Sequence, residues 1–334
     1  MIQYLIRRVF WAIALMFTVT AIGFALFYLV PKDPARVACG KSCTPVMLKR
    51  ISHDLGTDRP LYVQYAKFVG KLIPFSFTGG PHFKYPNLGH SYFSQQSVNQ
   101  IITQAAPITM SLVFGAVILW MLVALPIGIL SALRPRSLLD RTTMFGVLVG
   151  VSMHPVWLGL LLLYFLSDRV QLFPIGGYAG LFSSGGVEGQ STGLVQWAYH
   201  LALPWFTLAV LFMAIYVRMI RANVMEVMSE DYVRTARAKG APESRVLRQH
   251  ILRNALLPVV TMLGMDIGLA LGGAVFTESI YGLQGLGWWT VQSITAGDTP
   301  TVLGVIVFAT TMIIVFNLIV DVLYAWIDPR IRLS

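Results

Sequence analysis

Apolar residues in this chain run in blocks, not in alternation. Blocks at roughly 9–30, 105–133, 142–167, 200–220, 258–277 and 303–327 carry few charges. Each is long enough, as a helix rising about 1.5 Å per residue, to cross a hydrocarbon core about 30 Å thick. The pattern predicts an all-α polytopic membrane protein with six transmembrane helices, an even number that returns both ends to one side. The mixed segment between the first two blocks predicts a subdomain outside the membrane. The chain then divides into an N-terminal anchor helix at 1–30, that subdomain at 31–104 and a transmembrane domain at 105–334.

One polar interruption, residues 222–258, is itself helix-capable. The spacing predicts a helix over 223–239 that ends with Gly240 at its C′ position, Arg237 and Lys239 complementing the dipole in the last turn. A second short helix is predicted from Pro242, which needs no N–H in a first turn. Val246, Leu247, His250 and Ile251 would gather on one face, with Arg245, Arg248 and Gln249 on the other. That pattern predicts a small helix offering its apolar face to a partner's groove.

Charge gives the orientation. Arg7 and Arg8 precede block one, Arg134, Arg136 and Arg141 join blocks two and three, Arg218 to Arg253 join four and five, and Arg330 and Arg332 follow six. Short loops rich in Lys and Arg stay cytoplasmic, so the N- and C-termini are expected there. The opposite connections are poor in base: 168–199 contains only Arg169, and 278–301 contains no Lys or Arg. The basic 31–104 segment breaks the trend, but loops beyond about 60 residues cross largely regardless of charge. It is expected to be an extracytoplasmic subdomain. The apolar core of the first block exceeds the roughly 7–15 residues of an export signal, so it reads as a retained anchor.

Several chemistries find no support. Gly40-Lys41-Ser42 mimics the end of a phosphate-binding loop, but the required leading glycine position holds Ala35. The histidines at 53, 82, 90, 154, 200 and 250 are scattered, without metal-ligand spacing, so no metal or catalytic site is expected. Basic charge that flanks membrane blocks is explained by orientation, not by nucleic acid. Cys39 and Cys43 lie on the expected outer side, where an oxidising compartment favours a disulfide; two free thiols or a weak metal site are the alternatives.

Polar groups inside apolar blocks are expensive and are therefore candidate functional sites. Asp266 sits mid-block among Gly264, Gly268, Gly272 and Gly273, and ionisable groups there usually face a bundle interior or a watery cavity. It either meets a cationic cargo group or bonds a neighbouring span. His154 precedes Pro155, where a polar neighbour compensates a freed carbonyl. Glu278, followed by Gly285 and Gly287 in a glycine-rich turn, forms either an outer gate or an interfacial loop with Trp288 and Trp289 as anchors.

The run Asp231–Gly240, followed by Arg253-Asn254-Ala255-Leu256-Leu257-Pro258, resembles the cytoplasmic signature loop of ABC-importer permeases in the form used by the peptide and nickel importers. The likeness continues in Tyr4-Leu5-Ile6-Arg7-Arg8, Asp54-Leu55-Gly56-Thr57-Asp58-Arg59-Pro60, Leu201-Ala202-Leu203-Pro204, Gly272 to Glu278, Gly285-Leu286-Gly287 and Asp321-Val322-Leu323-Tyr324. It covers nearly the whole chain. The resemblance implies a permease subunit of the bacterial inner membrane, paired with a second permease subunit. It also implies two ATP-binding subunits that carry ATP and Mg, and an extracytoplasmic substrate-binding protein; no cofactor is expected in this chain. ATPase coupling falls on Asp231, Arg234, Thr235, Ala236, Arg237, Ala238, Lys239 and Gly240, then Pro242, Val246 and Leu247. Short peptides are the implied cargo, with nickel chelates, glutathione or other peptide-like compounds as alternatives. The rival from another class is an ion-gradient-driven secondary transporter, for which Asp266 would be the coupling carboxylate.

Overall fold

The structure is a computed structural model that describes residues 2–29, 43–55, 60–72, 75–76, 82–83, 86–180, 193–271 and 274–327. Helix α1 spans Ile2–Leu29, in agreement with the first apolar block. Two short amphipathic helices follow, α2 (Pro45–Leu55) and α3 (Leu61–Leu72), then a minimal antiparallel hairpin of β1 (Phe75–Ser76) and β2 (His82–Phe83). Helix α3 lies against α1: the Tyr65 hydroxyl donates to the Phe17 carbonyl at 3.0 Å, and its ring meets Phe24 edge-on.

Helix α4 runs Val98–Leu133, starting earlier than the expected 105 because Ser97 caps it, its Oγ accepting from the Gln100 N–H. The third block, expected as one span over 142–167, is broken into α5 (Leu138–Ser152) and α6 (Pro155–Arg169), which meet at 98°. The cause is local. Pro155 has no N–H and pushes the residue before it into extended backbone, and His154 has φ −73° and ψ 133°. Its imidazole Nδ1 then accepts from the Val156 N–H at 3.3 Å and starts the second half. The end of α6 widens into π-type turns over Leu163–Arg169.

Helix α7 (Leu194–Met228) is followed by α8 (Asp231–Ala238), α9 (Glu243–Ala255) and α10 (Leu257–Leu271). The fifth block ends at Leu271 instead of 277, and its last residues belong to a separate helix α11 (Val275–Ile280). The connection expected as an outer gate or an interfacial loop holds α12 (Leu286–Ala296), closed by Gly297 at φ 72°. Helix α13 covers Thr299–Ile327.

Helices α4, α7 and α13 are each long and apolar enough to cross a bilayer alone, and the bent pairs α5–α6 and α9–α10 satisfy the same test as broken spans. Exposed Arg245, Arg248 and Arg253 make α9 the polar half of its pair, and α10 is the apolar half. The main packing surface joins α4 to α7, where Val113, Ala116, Trp120 and Ala124 meet Ala209, Tyr216, Val217 and Ile220. The same core continues through Val224 into Val233, Val246, Ile251 and Ala255, so the polar interruption is welded to the spans. Lipid gives helices little apolar incentive to associate. Fit and polar ties between elements therefore carry the specificity, and those ties mark the candidate sites.

Candidate coupling elbow and buried carboxylate clamps

The residues after α7 form an elbow. The single helix expected over 223–239 is interrupted at Ser229 and Glu230. Ser229 turns its hydroxyl onto the Glu226 carbonyl at 2.7 Å, and Glu230 has extended backbone with φ −68° and ψ 145°. Helix α8 then carries Asp231, Arg234, Thr235, Ala236, Arg237 and Ala238. Its end matches the glycine prediction. Gly240 has φ 79°, its N–H reaches the Arg237 carbonyl at 2.9 Å, and the Ala241 N–H reaches the Ala236 carbonyl at 3.2 Å. These two bonds make a complete Schellman closure, which a non-glycine residue enters only with strain. Pro242, at φ −64° and ψ 143°, stands just ahead of α9 as its cap and not as its first helical residue.

The expected docking knob is corrected. Val246 and Ile251 are buried in the subunit's own core, packed with Val224 and Val233, and Leu247 is half-buried beside them. An apolar face next to its parent bundle gains more by folding back than by waiting for a partner. The exposed surface of the elbow is instead polar, made by Asp231, Arg234, Thr235, Arg237, Ala238, Lys239, Gly240 and Pro242; Ala236 is half-buried. Arg237 bridges the turn to Glu243 at 2.9 Å. Asn254 donates to the Tyr232 hydroxyl at 2.8 Å, and Asn223 to the Ala255 carbonyl at 3.3 Å, so both ends of the elbow are tied down.

At the opposite end of α4, Glu278 is fully buried. Its Oε1 accepts from the Thr109 hydroxyl at 2.7 Å and its Oε2 from the Trp288 N–H at 2.9 Å, while Thr109 Oγ1 accepts from the Leu286 N–H at 2.9 Å. The first and third N–H groups of α12 are thereby satisfied by side chains from two other helices, and a carboxylate suits the positive end of a helix. Gly285 permits this approach: a Cβ there would lie 2.6 Å from the Glu278 carboxylate and from Thr109 Oγ1. Gly287 similarly sits against Val275, where a Cβ would lie 2.8 Å from its Cα. Trp288 and Trp289 are half-buried and stack edge-on at 5.3 Å.

Asp266 accepts from the Tyr216 hydroxyl at 2.6 Å, a tie between α10 and α7. The carboxylate is half-buried, whereas Tyr216 is fully buried beside Trp120. His154 is exposed at the α5–α6 bend, with its ring edge-on to Phe276 of α11 at 5.5 Å. Asp266 and His154 thus sit on different elements, and neither joins the Glu278 cluster. Cys43 lies just ahead of α2, and Cys39 lies outside the described residues. Among the described residues, no three His, Cys, Asp or Glu side chains gather as a metal site.

Two buried carboxylates escaped the sequence reading. Asp140, in the first turn of α5, accepts from Arg221 through Nε at 2.6 Å and Nη2 at 2.9 Å, from Ser131 Oγ at 2.5 Å and from the Arg136 N–H at 2.9 Å. Asp298 accepts from Ser91 Oγ at 2.5 Å, the Tyr92 N–H at 2.9 Å and Thr301 Oγ1 at 2.7 Å, and so pins the segment before α4 to the start of α13. Their signal was faint: one acid inside an otherwise basic connection, and one acid in a connection without a base.

A bundle of long and broken apolar helices with a polar elbow between two of them has the build of a multi-pass membrane protein. Residues 124–333 match the family described as binding-protein-dependent transport system inner membrane component, and residues 1–113 match the N-terminal part of such membrane components. The chain belongs to this family: it is a permease subunit of an ABC importer, a multi-pass protein of the bacterial inner membrane and a transport component rather than an enzyme. It is 35% identical over 340 residues to the probable D,D-dipeptide transport system permease protein DdpB of Escherichia coli strain K12, covering 98% of this chain and 97% of that protein. It is also 35% identical over 335 residues to the oligopeptide transport system permease protein AppB of Bacillus subtilis strain 168, covering 99% and 100%. A solved inward-facing structure of the MetNI methionine ABC transporter shares the fold, with a TM-score of 0.51 at 18% identity, over 69% of this chain and 97% of that one.

Proposed function

We propose that this chain forms half of a translocation path for short peptides, beside a second permease subunit, with two ATP-binding subunits docked on the elbow and a substrate-binding protein on the opposite face. The elbow carries the reading. Its polar surface is exposed, while its apolar face, the Gly240 closure and the Asn223 and Asn254 ties hold that surface at a fixed position on the spans. A surface built this way receives a push and delivers it to the bundle. ATP and Mg belong to the partner subunits. In this arrangement the elbow, the chain termini and the α4–α5 connection are cytoplasmic, six crossings are made, and 31–104 is extracytoplasmic. That assignment agrees with the excess of Arg in the connections on the elbow side.

Nucleotide-driven closure of the ATPases would move the elbows of both permeases and open the path alternately to each side. Asp266, half-exposed on α10, is the charged side chain best placed to meet a peptide's amino group, and Tyr216 orients it. His154, exposed at the α5–α6 bend, is a second polar contact for cargo. The Glu278 cluster with Gly285 and Gly287 belongs to the outer gate as its fixed frame. The peptide class is supported by relatives named for D,D-dipeptide, dipeptide, di/tripeptide and oligopeptide transport. Cys39 and Cys43 close a small disulfide loop at the start of the extracytoplasmic segment.

The test is purification of the chain from its native membrane with its partners, then uptake of labelled di- and tripeptides into proteoliposomes. Retention of ATP-binding subunits and ATP-dependent peptide accumulation is the expected result. Uphill uptake by the chain alone would overturn the reading, and ATP-dependent uptake of a metal chelate in place of peptides would replace the cargo.

A further inference from the structure

The Asp140 cluster touches neither the elbow's exposed surface nor the candidate path, yet it gathers four donors from three elements onto one buried carboxylate. Ser131 comes from the end of α4, Arg136 from the α4–α5 turn and Arg221 from α7, while Asp140 itself starts α5. The turn is held in an unusual shape: Arg136 has φ 65°, the left-handed region, and its N–H is bonded to the carboxylate. Arg221 precedes the end of α7 by two turns, and beyond it Asn223 and Val224 tie α7 to the elbow. Two exposed ion pairs, Arg234 with Asp231 and Arg237 with Glu243, lie within the elbow itself.

We propose that Asp140 and Arg221 are a positioning pair for transport, locking α7, the end of α4 and the start of α5 into one body so that movement of the elbow is delivered to α5 instead of being absorbed in α7. The physical reason lies in the kind of contact. Apolar side chains slide past one another at small cost, whereas a two-pronged guanidinium–carboxylate pair has one geometry. A shift of α7 against α5 by a few ångströms would break its bonds together and leave the buried Asp140 carboxylate without its partner, while Arg221 is only partly exposed. The body is therefore engaged or broken, with nothing between. Helix α5 ends at the 98° bend at His154, so a displacement given to its start is carried along the helix to that bend. The inference rests on the reading of the elbow as the ATPase docking surface.

The assembled complex in proteoliposomes provides the test, in two arms. In the first, spin labels replace exposed Arg141 on α5 and exposed Glu226 on α7, with Cys39→Ser and Cys43→Ser in the background, and their separation is measured without nucleotide and after trapping with ATP and vanadate. The distance is expected to be the same in both states; a nucleotide-dependent change would overturn the proposal without any variant of the pair having to fold. In the second, the ratio of labelled dialanine uptake to ATP hydrolysis is compared for the parent, Asp140→Asn, and Asp140→Asn with Arg221→Gln. The double variant removes the orphaned charge and restores assembly, yet its ratio is expected to stay about tenfold below the parent. A ratio that returns to the parental value in the double variant would mean that the pair only stabilises the fold, and the proposal would be wrong. ATP hydrolysis measured in the same sample separates the two failures: an elbow that binds no ATPase shows no hydrolysis, whereas a pair without a positioning role shows normal hydrolysis and a normal ratio.

Discussion

The elbow and the α11–α12 hairpin face the same problem, the ends of short helices, and solve it with opposite materials. At the elbow the main chain closes on itself: the Gly240 and Ala241 N–H groups return to α8, and across that turn an exposed ion pair adds to the closure. At the hairpin the N–H groups of α12 are satisfied by Thr109 and Glu278, the former 177 residues away in sequence, inside a fully buried cluster. The first solution is local and leaves a surface that can change partners. The second fuses the hairpin to α4 through buried bonds. A gate in this region would therefore move the hairpin with α4 as one piece, not flex the glycine-rich turn.

Substitutions should damage the two regions differently. The largest effect is expected from Gly285→Ala, whose Cβ would lie 2.6 Å from Glu278 and Thr109. Neither neighbour can retreat without losing its bonds, so overpacking costs about 3 kcal/mol, read as a loss of assembled complex and a lower unfolding temperature in detergent. Wild-type unfolding in this variant would mean that the cluster yields. Next comes Thr109→Val, which keeps shape but leaves the Leu286 N–H and Glu278 Oε1 without their partner. Its expected cost is about 2 kcal/mol by the same measurement.

Gly240→Val should be milder for the fold and worse for function. Forcing a β-branched residue to φ 79° costs about 1–2 kcal/mol, and since nothing lies within 4 Å of the new Cβ the strain stays in the elbow. The spans are expected to melt nearly as in the parent, while peptide uptake per ATP hydrolysed collapses. Equal uptake ratios in parent and variant would show that the closure is not part of coupling.

The same contrast explains what the sequence disclosed. Apolar blocks are long-range averages, so the long apolar helices were readable, and Gly240 was readable because its requirement comes from its own backbone. The 98° break was half-readable. Pro155 announced it, but a proline inside an apolar block either kinks a span or splits it, and only the His154 cap decides for splitting. The burial of Val246 and Ile251 was not readable, since an amphipathic helix carries no sign of whether its apolar face meets a partner or its own bundle. Glu278, Asp140 and Asp298 were illegible as clamps for the reason that makes them specific: their donors lie on distant helices, and a single acid in sequence looks the same whether solvated or buried.

The smallest expected effect sharpens the comparison most. Arg237 and Glu243 bridge the two elbow helices at 2.9 Å, with side-chain exposures of 37% and 72%. Such a pair is screened by salt and loses side-chain entropy, so Arg237→Ala should cost less than about 1 kcal/mol of stability. The Schellman closure needs neither side chain and would hold the turn without the pair. If the exposed charge serves a docked ATPase more than the fold, Arg237→Ala leaves unfolding unchanged but weakens ATPase retention, and the difference from the parent is largest at low ionic strength and shrinks as salt screens the parent's charge. A variant that melts lower and retains its ATPases normally at every salt concentration would assign Arg237 to the fold, and the elbow would then resemble the hairpin more closely than its geometry indicates.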